Sequence, residues 1–258
     1  MVIEFFCVKI GEINMNIKEV IKERWENSAK GYNGYIQNEL NTFKEIQWTN
    51  LVLSEKEEKN LNILDIGTGP GFFPMILSKQ KHNVIGIDCS KEMINIAKQN
   101  CKNNSGFYVM DSHDLRFEDN SFDLVISRNV TWTLYNPQKA YKEWKRVLKP
   151  GGKLIIFDAN WYLSFFDNEV KEKVEKSIND YRKRFGEPYE SCKNETPDEF
   201  YKSLPLSSKY RPDWDKYVLK NLGFKDIKVD KNIIEKVYDE KEMMLYSCTP
   251  LFKIVGTK

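Results

Sequence analysis

Residues 61–71 read Leu-Asn-Ile-Leu-Asp-Ile-Gly-Thr-Gly-Pro-Gly, and they restrict the fold more than any other stretch of the chain. An apolar run ends in three glycines at alternate positions, and a helix-like segment follows at once. Pro74 is compatible only with the first turn of that helix, where its missing N–H costs nothing. A buried strand, a glycine turn and a helix in this order present backbone N–H groups to a nucleotide-like ligand in an α/β sheet.

The details of the turn argue against a dinucleotide ligand. The dinucleotide pattern Gly-x-Gly-x-x-Gly requires a glycine three residues after Gly69, where this chain has Phe72. In addition, Asp65 stands two residues before Gly67. A carboxylate at this point repels a pyrophosphate and attracts an ammonium or sulfonium group. The pattern Asp-x-Gly-x-Gly-x-Gly therefore favours a nucleoside that carries a cationic amino acid.

Acidic residues also end the next two predicted strands. The apolar run at residues 84–88 ends in Asp88, 21 residues after Gly67, where a carboxylate reaches both hydroxyls of a ribose. The run at residues 107–111 ends in Asp111. Because the carboxyl ends of parallel strands meet at the edge of a sheet where ligands bind, this ordered series indicates a binding site.

Each of these acids also has a purely structural interpretation. Asp65 is suited to cap the glycine turn, and Asp88 is suited to cap the helix that begins after Ser90. Asp111 is followed by Ser-His-Asp and fits a polar loop. The order of the three acids along the chain, each at the end of a predicted strand, favours ligand binding over these alternatives.

The motifs over residues 61–158 resemble those of the class I S-adenosylmethionine-dependent methyltransferases, and most closely the small-molecule "type 11" group. The glycine turn corresponds to the first motif of that family, and the strand acids follow in the family's order. A fourth strand at residues 121–127 and the turn Leu-Lys-Pro-Gly-Gly at 148–152, which opens a fifth strand, complete the series.

This resemblance implies an α/β fold: a doubly wound, Rossmann-like, mostly parallel seven-stranded sheet with an antiparallel edge hairpin and a helical cap. It also implies S-adenosyl-L-methionine as the cofactor, with Asp111 accepting a hydrogen bond from the adenine amino group. No metal ion is expected. The cofactor-binding residues expected from the resemblance are Asp65, Gly67, Thr68, Gly69, Gly71, Asp88, Cys89, Met93, Asp111, Ser112, His113, Arg128 and Asn129.

The methyl acceptor is expected among aromatic residues near the carboxyl edge of the sheet, namely Trp25, Tyr32, Tyr35, Trp132, Tyr135, Trp161, Tyr162, Phe165 and Phe166. Core packing is an alternative role for most of those rings. We predict that Tyr32 and Trp132 bracket the transfer site and that Asp158 orients the acceptor. In-line displacement from a sulfonium requires alignment more than covalent help. A general base is needed only for some acceptors. His113 is expected near the adenine rather than near the methyl group.

Composition restricts the partners. Forty basic and 38 acidic residues give a net charge of +2 without a basic block, which argues against nucleic acid. No apolar run approaches the roughly 18 residues of a membrane span. The five cysteines are scattered without a Cys-x-x-Cys pair, and the first residues do not resemble a secretion signal. We therefore expect a cytoplasmic monomer or homodimer that acts on a small molecule.

The chain is predicted to form one methyltransferase domain over residues 1–258. Its segments are an irregular start at 1–14, an N-terminal helical cap segment at 16–60, the cofactor-binding core at 61–158, a cap insertion at 159–213, and a C-terminal helix with edge strands at 214–258. Within them we predict a helix from about residue 16 that breaks at 31–34, helices at 36–53, 166–185 and 213–222, and strands at 225–233 and 243–255.

Two other functions remain compatible with the sequence. One is a non-catalytic sensor or scaffold that binds S-adenosylmethionine without turnover. The other is an NAD-dependent oxidoreductase, against which Asp65 and Phe72 both argue. The sequence lacks the Asn-Pro-Pro-Tyr motif of amino methyltransferases that act on nucleic acids and proteins, since Ser-Arg-Asn-Val stands at 127–130. The acceptor atom (O, N, S or C) stays open.

Overall fold

The computed structural model describes residues 7–10, 13–102, 106–188 and 197–258. Within these residues, β3 to β9 form a seven-stranded sheet in the order β5-β4-β3-β6-β7-β9-β8, and β1 and β2 pair separately as an antiparallel ribbon. The strands are β1 (Cys7–Ile10), β2 (Ile13–Asn16), β3 (Asn62–Ile66), β4 (Asn83–Asp88), β5 (Gly106–Val109), β6 (Phe122–Arg128), β7 (Leu148–Asp158), β8 (Lys225–Asp230) and β9 (Phe252–Thr257).

The pairing of the strands confirms the predicted fold class. The five strands β3 to β7 are parallel to one another. Strand β9 lies between β7 and β8 and runs antiparallel to both. The antiparallel edge is therefore present, although a long connection with two short helices joins β8 to β9 in place of a tight hairpin.

Helices cover both faces of the sheet. On one face, Trp48 and Phe73 pack on Phe157 of β7, with ring centroids 5.0 Å and 6.2 Å from the Phe157 ring. On the other face, Tyr141 and Trp144 are fully buried. In the described ranges the helices are α1 (Ile17–Glu39), α2 (Phe43–Leu53), α3 (Phe72–Ser78), α4 (Lys91–Asn100), α5 (Pro137–Val147), α6 (Asn168–Phe185), α7 (Asp198–Ser203), α8 (Asp213–Asn221), α9 (Ile234–Val237) and α10 (Glu240–Tyr246).

The predicted helix break at residues 31–34 is wrong, because α1 continues through Gly31 and Gly34 to Glu39. Each glycine costs about 1 kcal/mol of helix stability relative to alanine. Burial on both sides outweighs that cost, since Ala29 and Ile36 are almost fully buried and a buried aliphatic side chain contributes about 1.5–3 kcal/mol. The second helix consequently begins later than predicted, at Phe43.

The predicted strand at 243–255 is also wrong in its first half. Residues Glu240–Tyr246 form α10, and the strand begins only at Phe252. A capping box starts this helix: the Asp239 side chain accepts from the Glu242 backbone N–H, and the Glu242 side chain accepts from the Asp239 N–H. The preceding strand ends at Asp230 in place of 233.

The irregular start predicted for residues 1–14 is wrong where the structure describes it, because Cys7–Ile10 and Ile13–Asn16 form the ribbon β1–β2. Residues 1–6, 11 and 12 lie outside the described residues. The helices predicted at 166–185 and 213–222 are confirmed to within two residues at each end.

Helix α1 is attached to the start of α4 through Glu26. Its carboxylate accepts hydrogen bonds from the backbone N–H groups of Lys91 and Glu92, at 2.8 and 2.9 Å, and from the Ser90 hydroxyl at 3.1 Å. These are the unpaired donors at the start of α4, and a negative charge is stabilising there. Although burial raises the pKa of Glu26, the hydrogen bonds from Glu92 and Lys91 bring that pKa below its usual value.

We expect Glu26→Ala to reduce the free energy of unfolding by about 1 kcal/mol at neutral pH, as for loss of a helix cap. The folded pKa of Glu26 is lowered, so its contribution is complete above the unfolded value of about 4.3 and is lost as the pH falls through the folded pKa. Urea unfolding at pH 7 and pH 3 measures both. Glu23→Ala, an exposed site on the same helix, is the control. A Glu26→Ala loss that persists undiminished at pH 3 contradicts the charged cap.

Candidate functional site

A cavity of about 760 Å³, including the part that opens to solvent, lies at the carboxyl ends of the parallel strands. Helix α1 covers it from the side away from the sheet and contributes Lys18, Ile21, Trp25 and Tyr32. The remaining lining residues come from the strand ends and the loops after them: Gly67, Gly69, Ile87, Asp88, Cys89, Met93, Met110, Asp111, Ser112, His113, Arg128, Asn129, Val130, Thr133, Leu134 and Tyr135.

The glycine turn brings bare backbone to the wall of this cavity. Gly67 and Gly69 have φ angles of +67° and +53°, which L side chains rarely adopt. A Cβ atom on Gly67 would lie 2.3 Å from Cγ2 of Val130, so that position admits only glycine. The turn is fixed to the neighbouring strand, since Thr68 N–H donates to the Ile87 carbonyl at 2.8 Å.

Gly71 has a different role from the other two glycines of the turn. It does not line the cavity, and it precedes α3 with a φ of +92°. A Cβ atom at this position would lie 3.3 Å from Cβ of Ala97 in α4. Its lack of a side chain therefore permits close packing of α3 against α4.

Asp65 and Thr68 lie beside the main cavity. They line a smaller cavity that shares Tyr32, Gly67 and Arg128 with the larger one. The Thr68 hydroxyl donates to Asp65 Oδ2 at 2.6 Å. Burial raises the pKa of Asp65 to about 7, so this carboxyl holds a full negative charge only above neutral pH.

Asp88 presents a carboxylate to the cavity while it holds the surrounding backbone. Its Oδ2 accepts from the Gly69 N–H at 3.0 Å, and its Oδ1 accepts from the Ser90 N–H at 2.9 Å. Burial raises the pKa of Asp88 to about 6. The interpretation of Asp88 as the cap of the next helix is wrong, because Ser90 caps α4 and accepts from the Met93 N–H at 3.0 Å. The Asp88 carboxylate holds the glycine turn and borders the cavity, and its role in binding stays a prediction.

Asp111 is surrounded by donors at the far end of the cavity. The Lys18 ammonium lies 2.7 Å from its Oδ2, and the Tyr135 hydroxyl donates to the same oxygen at 2.7 Å. His113 donates to Oδ1 from its backbone N–H at 2.9 Å, and its Nδ1 lies 2.8 Å from that oxygen. Although burial raises the pKa of Asp111, the hydrogen bonds from His113 and Lys18 hold it well below its usual value.

Arg128 is buried at the opposite end, next to the glycine turn. Its guanidinium forms an ion pair with Glu39 of α1 at 2.9 Å and lies 4.2 Å from the centre of the Phe72 ring. Asn129 follows it with a φ of +57°, and its side-chain Oδ1 is buried. The end of β6 thus brings the Arg128 guanidinium, paired with Glu39 of α1, and the Asn129 amide to the cavity wall.

The three residues predicted to be catalytic lie at different distances from the cavity, and among them Tyr32 lines it. A Cβ atom on Gly69 would lie 3.5 Å from the Tyr32 ring. Trp132 lies one layer behind, with its ring centroid 6.2 Å from that of Trp25. Asp158 is fully buried outside the lining and accepts from the Trp132 N–H at 3.0 Å and from the indole N–H of Trp161 at 2.7 Å.

Sequence reasoning missed several lining residues, above all Lys18 and Val130. Lys18 lies on the same face of α1 as Ile21, Trp25 and Tyr32, at helical spacings of three, four and seven residues. That spacing is visible in the sequence, but nothing in it shows that this face meets the end of β5. The other lining residues that had not been singled out are Ile21, Ile87, Met110, Thr133 and Leu134.

The residues that the structure describes contain no cluster of three or more His, Cys, Asp or Glu side chains suited to a metal ion. In the same part of the chain, every helix is too short or too polar to cross a lipid bilayer.

The cavity fits a nucleoside with an attached amino acid. Carboxylates such as Asp88 are hydrogen-bond acceptors for a ribose diol, and Met93, Met110 and Leu134 supply apolar surface for a planar base. The glycine-only turn lets a ligand approach the backbone at the other end. The residues that line the cavity are therefore compatible with S-adenosylmethionine.

Comparisons with known proteins agree with this geometry. Residues 64–156 match the family model described as a methyltransferase domain. An uncharacterised protein of Methanocaldococcus jannaschii is 34% identical over 177 residues, which are 67% of this chain and 69% of that protein.

Two solved structures share the fold. A Thermotoga maritima S-adenosylmethionine-dependent methyltransferase, described as a possible histamine N-methyltransferase, matches with a TM-score of 0.59 and 20% identity over 92% of this chain and 99% of that one. A Haemonchus contortus phosphoethanolamine N-methyltransferase, solved with S-adenosylhomocysteine, matches with a TM-score of 0.56 and 19% identity over 82% of this chain. The chain spans about half of that second protein, 52%.

The family match, the relative and the cavity lead to one assignment and confirm the predicted family and cofactor. The chain belongs to the class I S-adenosylmethionine-dependent methyltransferases, enzymes whose cofactor is S-adenosyl-L-methionine.

Proposed function

We propose that this chain transfers the methyl group of S-adenosylmethionine to a small-molecule acceptor by in-line displacement. The observation that carries the proposal is the position of α1, which lies across the cavity and is attached to the start of α4 through Glu26. An acceptor must fit between α1 and the strand ends. This enclosure favours a small molecule over a folded protein or a nucleic-acid duplex.

We assign the cofactor along the cavity by the chemistry of its walls. The turn at Gly67 and Gly69, with Arg128 and Asn129 opposite, is proposed to hold the amino-acid end. Asp88 is proposed to accept hydrogen bonds from the ribose hydroxyls. Asp111 is proposed to face the adenine amino group. The adjoining proposed binding residues are Cys89, Met93, Ser112 and His113, while Asp65, Thr68 and Gly71 support the turn from outside the main cavity.

The acceptor is proposed to lie against the rings of Trp25 and Tyr32. When bound, the cofactor supplies an activated methyl group on a sulfonium, so the protein needs chiefly to align the acceptor and to exclude water. We propose that Trp132 supports Trp25 from behind. Asp158 is then a positioning residue, because its carboxylate holds the Trp132 backbone.

We do not propose His113 as a general base. The Asn136 N–H donates to Nε2 of His113 at 3.2 Å, so the proton lies on Nδ1, which is directed at Asp111. Burial lowers the pKa of His113, which keeps the ring neutral. The ring therefore serves the adenine end, and acceptors that lose no proton before transfer suit this site best.

The proposal is tested by supplying methyl-labelled S-adenosylmethionine together with a cell extract divided by ultrafiltration. Label in the small-molecule fraction supports it. Label that appears only in retained protein or nucleic acid contradicts the acceptor class. If neither fraction is labelled although the protein binds S-adenosylhomocysteine, the result favours a non-catalytic sensor or scaffold.

Asp88→Asn tests the ribose assignment. Loss of a charged hydrogen-bond acceptor should weaken S-adenosylhomocysteine binding roughly ten- to a hundredfold. Because the carboxylate must be ionised to accept both hydroxyls, binding to the unmodified protein should weaken as the pH falls through about 6. Calorimetry between pH 5 and 8 measures both effects. The variant should lose that pH step, and a step that persists in Asp88→Asn contradicts the assignment.

Tyr32→Leu tests the proposed position of the acceptor against the Tyr32 ring. Loss of the ring beside the glycine turn should lower turnover roughly tenfold or more, because alignment is impaired, with a smaller effect on cofactor affinity. Turnover with any acceptor found above and the dissociation constant of S-adenosylhomocysteine are both measured. Tyr217→Leu, at an exposed tyrosine on α8, is the control. Equal losses in turnover and in cofactor affinity contradict a role in alignment.

A further inference from the structure

The carboxylate of Asp111 is already saturated by groups of the protein. Its Oδ1 receives the backbone N–H and the Nδ1–H of His113, and its Oδ2 receives the Tyr135 hydroxyl and the Lys18 ammonium. A carboxylate offers about four lone-pair sites, two on each oxygen. All four are therefore occupied, and an adenine amino group needs one of them.

Three of the four donors are locked in place. The rings of His113 and Tyr135 stack with centroids 3.7 Å apart, and Nε2 of His113 is held by the Asn136 N–H. The His113 side chain is only 3% exposed. Moving either ring would disrupt the stack and leave polar atoms buried without partners.

Lys18 is the donor that can leave. Its side chain is 54% exposed, and its ammonium regains full hydration as soon as it swings away from Asp111. It comes from a different element, the first turn of α1, whose start is capped separately by the Asn16 side chain at 3.0 Å from Lys18 N. Loss of the ion pair therefore leaves the helix start intact.

We propose that Lys18 is an internal substitute for the adenine amino group. The ammonium occupies the lone pair of Asp111 Oδ2 when the cofactor is absent, and binding of an adenine exchanges one N–H donor for another at that oxygen. The inference rests on the proposed role of Asp111 toward adenine. Lys18, which lines the cavity, is then a determinant of cofactor affinity and of discrimination between bases.

Discrimination follows from donor and acceptor chemistry. Adenine carries an amino donor and must displace Lys18 to reach Asp111. Hypoxanthine carries a carbonyl oxygen at the same position, which accepts a hydrogen bond from the ammonium and leaves Lys18 in place. An ordinary surface ion pair that only anchors α1 predicts no gain in affinity for the adenine ligand. Removal of such a pair either weakens cofactor binding or leaves it unchanged.

The experiment compares Lys18→Met with the unmodified protein by calorimetry, using S-adenosylhomocysteine and S-inosylhomocysteine. An exposed pair that no longer has to be broken should give Lys18→Met about a two- to fivefold gain in affinity for the adenine ligand. The hypoxanthine ligand should show no gain. Lys30→Met, at an exposed position of the same helix, is the control and should match the unmodified protein.

Ionic strength provides a second readout. Added salt screens an exposed ion pair, so the affinity of the unmodified protein for S-adenosylhomocysteine should rise toward that of Lys18→Met, whose own affinity should change less. Equal or weaker adenine-ligand binding by Lys18→Met overturns the inference, as does an equal gain for both ligands. Failure of the unmodified protein to bind S-adenosylhomocysteine at all would instead overturn the proposed function.

Discussion

The arrangement of the site depends on one buried carboxylate, that of Asp88. One of its oxygens holds the Gly69 N–H and the other holds the Ser90 N–H, so the acid joins the glycine turn after β3 to the helix that follows β4. Ser90 in turn caps α4, and Glu26 of α1 caps the same helix from outside. The turn, the strand ends and the covering helix are therefore positioned around a single charge.

The parallel part of the sheet could be predicted from the sequence, because each strand is marked by its own apolar run and by the turn residues next to it. Apolar side chains of these strands are buried, among them Ile63, Leu64 and Ile66 in β3 and Val84 and Ile87 in β4. Each run leads into a residue that lines the cavity, Gly67 or Asp88. The glycine at position 67 is explained by a steric restriction, since a Cβ atom there would lie 2.3 Å from Cγ2 of Val130. A glycine that is needed for such a reason is visible in the sequence. Most of the expected cofactor residues line one cavity for the same reason: strand ends of a parallel sheet share an edge.

Contacts between distant segments could not be predicted. The pair of Lys18 with Asp111 joins residues 93 positions apart, and no periodicity reveals it. The continuity of α1 through Gly31 and Gly34 depends likewise on burial against other elements, whereas local propensity favoured a break. Helix α10 is a different case, because the capping pair Asp239 and Glu242 was visible and the apolar residues after it resembled a strand.

Asp158 belongs to a buried cluster of charged side chains outside the cavity lining. Arg211 lies 3.3 Å from Asp158 and 2.8 Å from Asp215, and all three side chains are almost fully enclosed. Removing one partner of such a group leaves a charge buried without compensation, a much larger penalty than the net stability of the intact cluster. The cluster therefore holds the turn that carries Trp132 in one arrangement.

At the proposed amino-acid end, Arg128 is matched by Glu39, and Asp65 is bonded to Thr68 with its pKa raised to about 7 by burial. The expectation that Asp65 attracts a sulfonium stays a prediction. Transfer of a methyl group converts a cation into a neutral thioether. The proposed transfer site beside Tyr32 and Trp25 offers aromatic faces, which attract a cation and also pack against an apolar group. In the proposed arrangement, Asp88 and Asp111 thus lie at the ribose and adenine ends, and aromatic rings lie where the positive charge disappears.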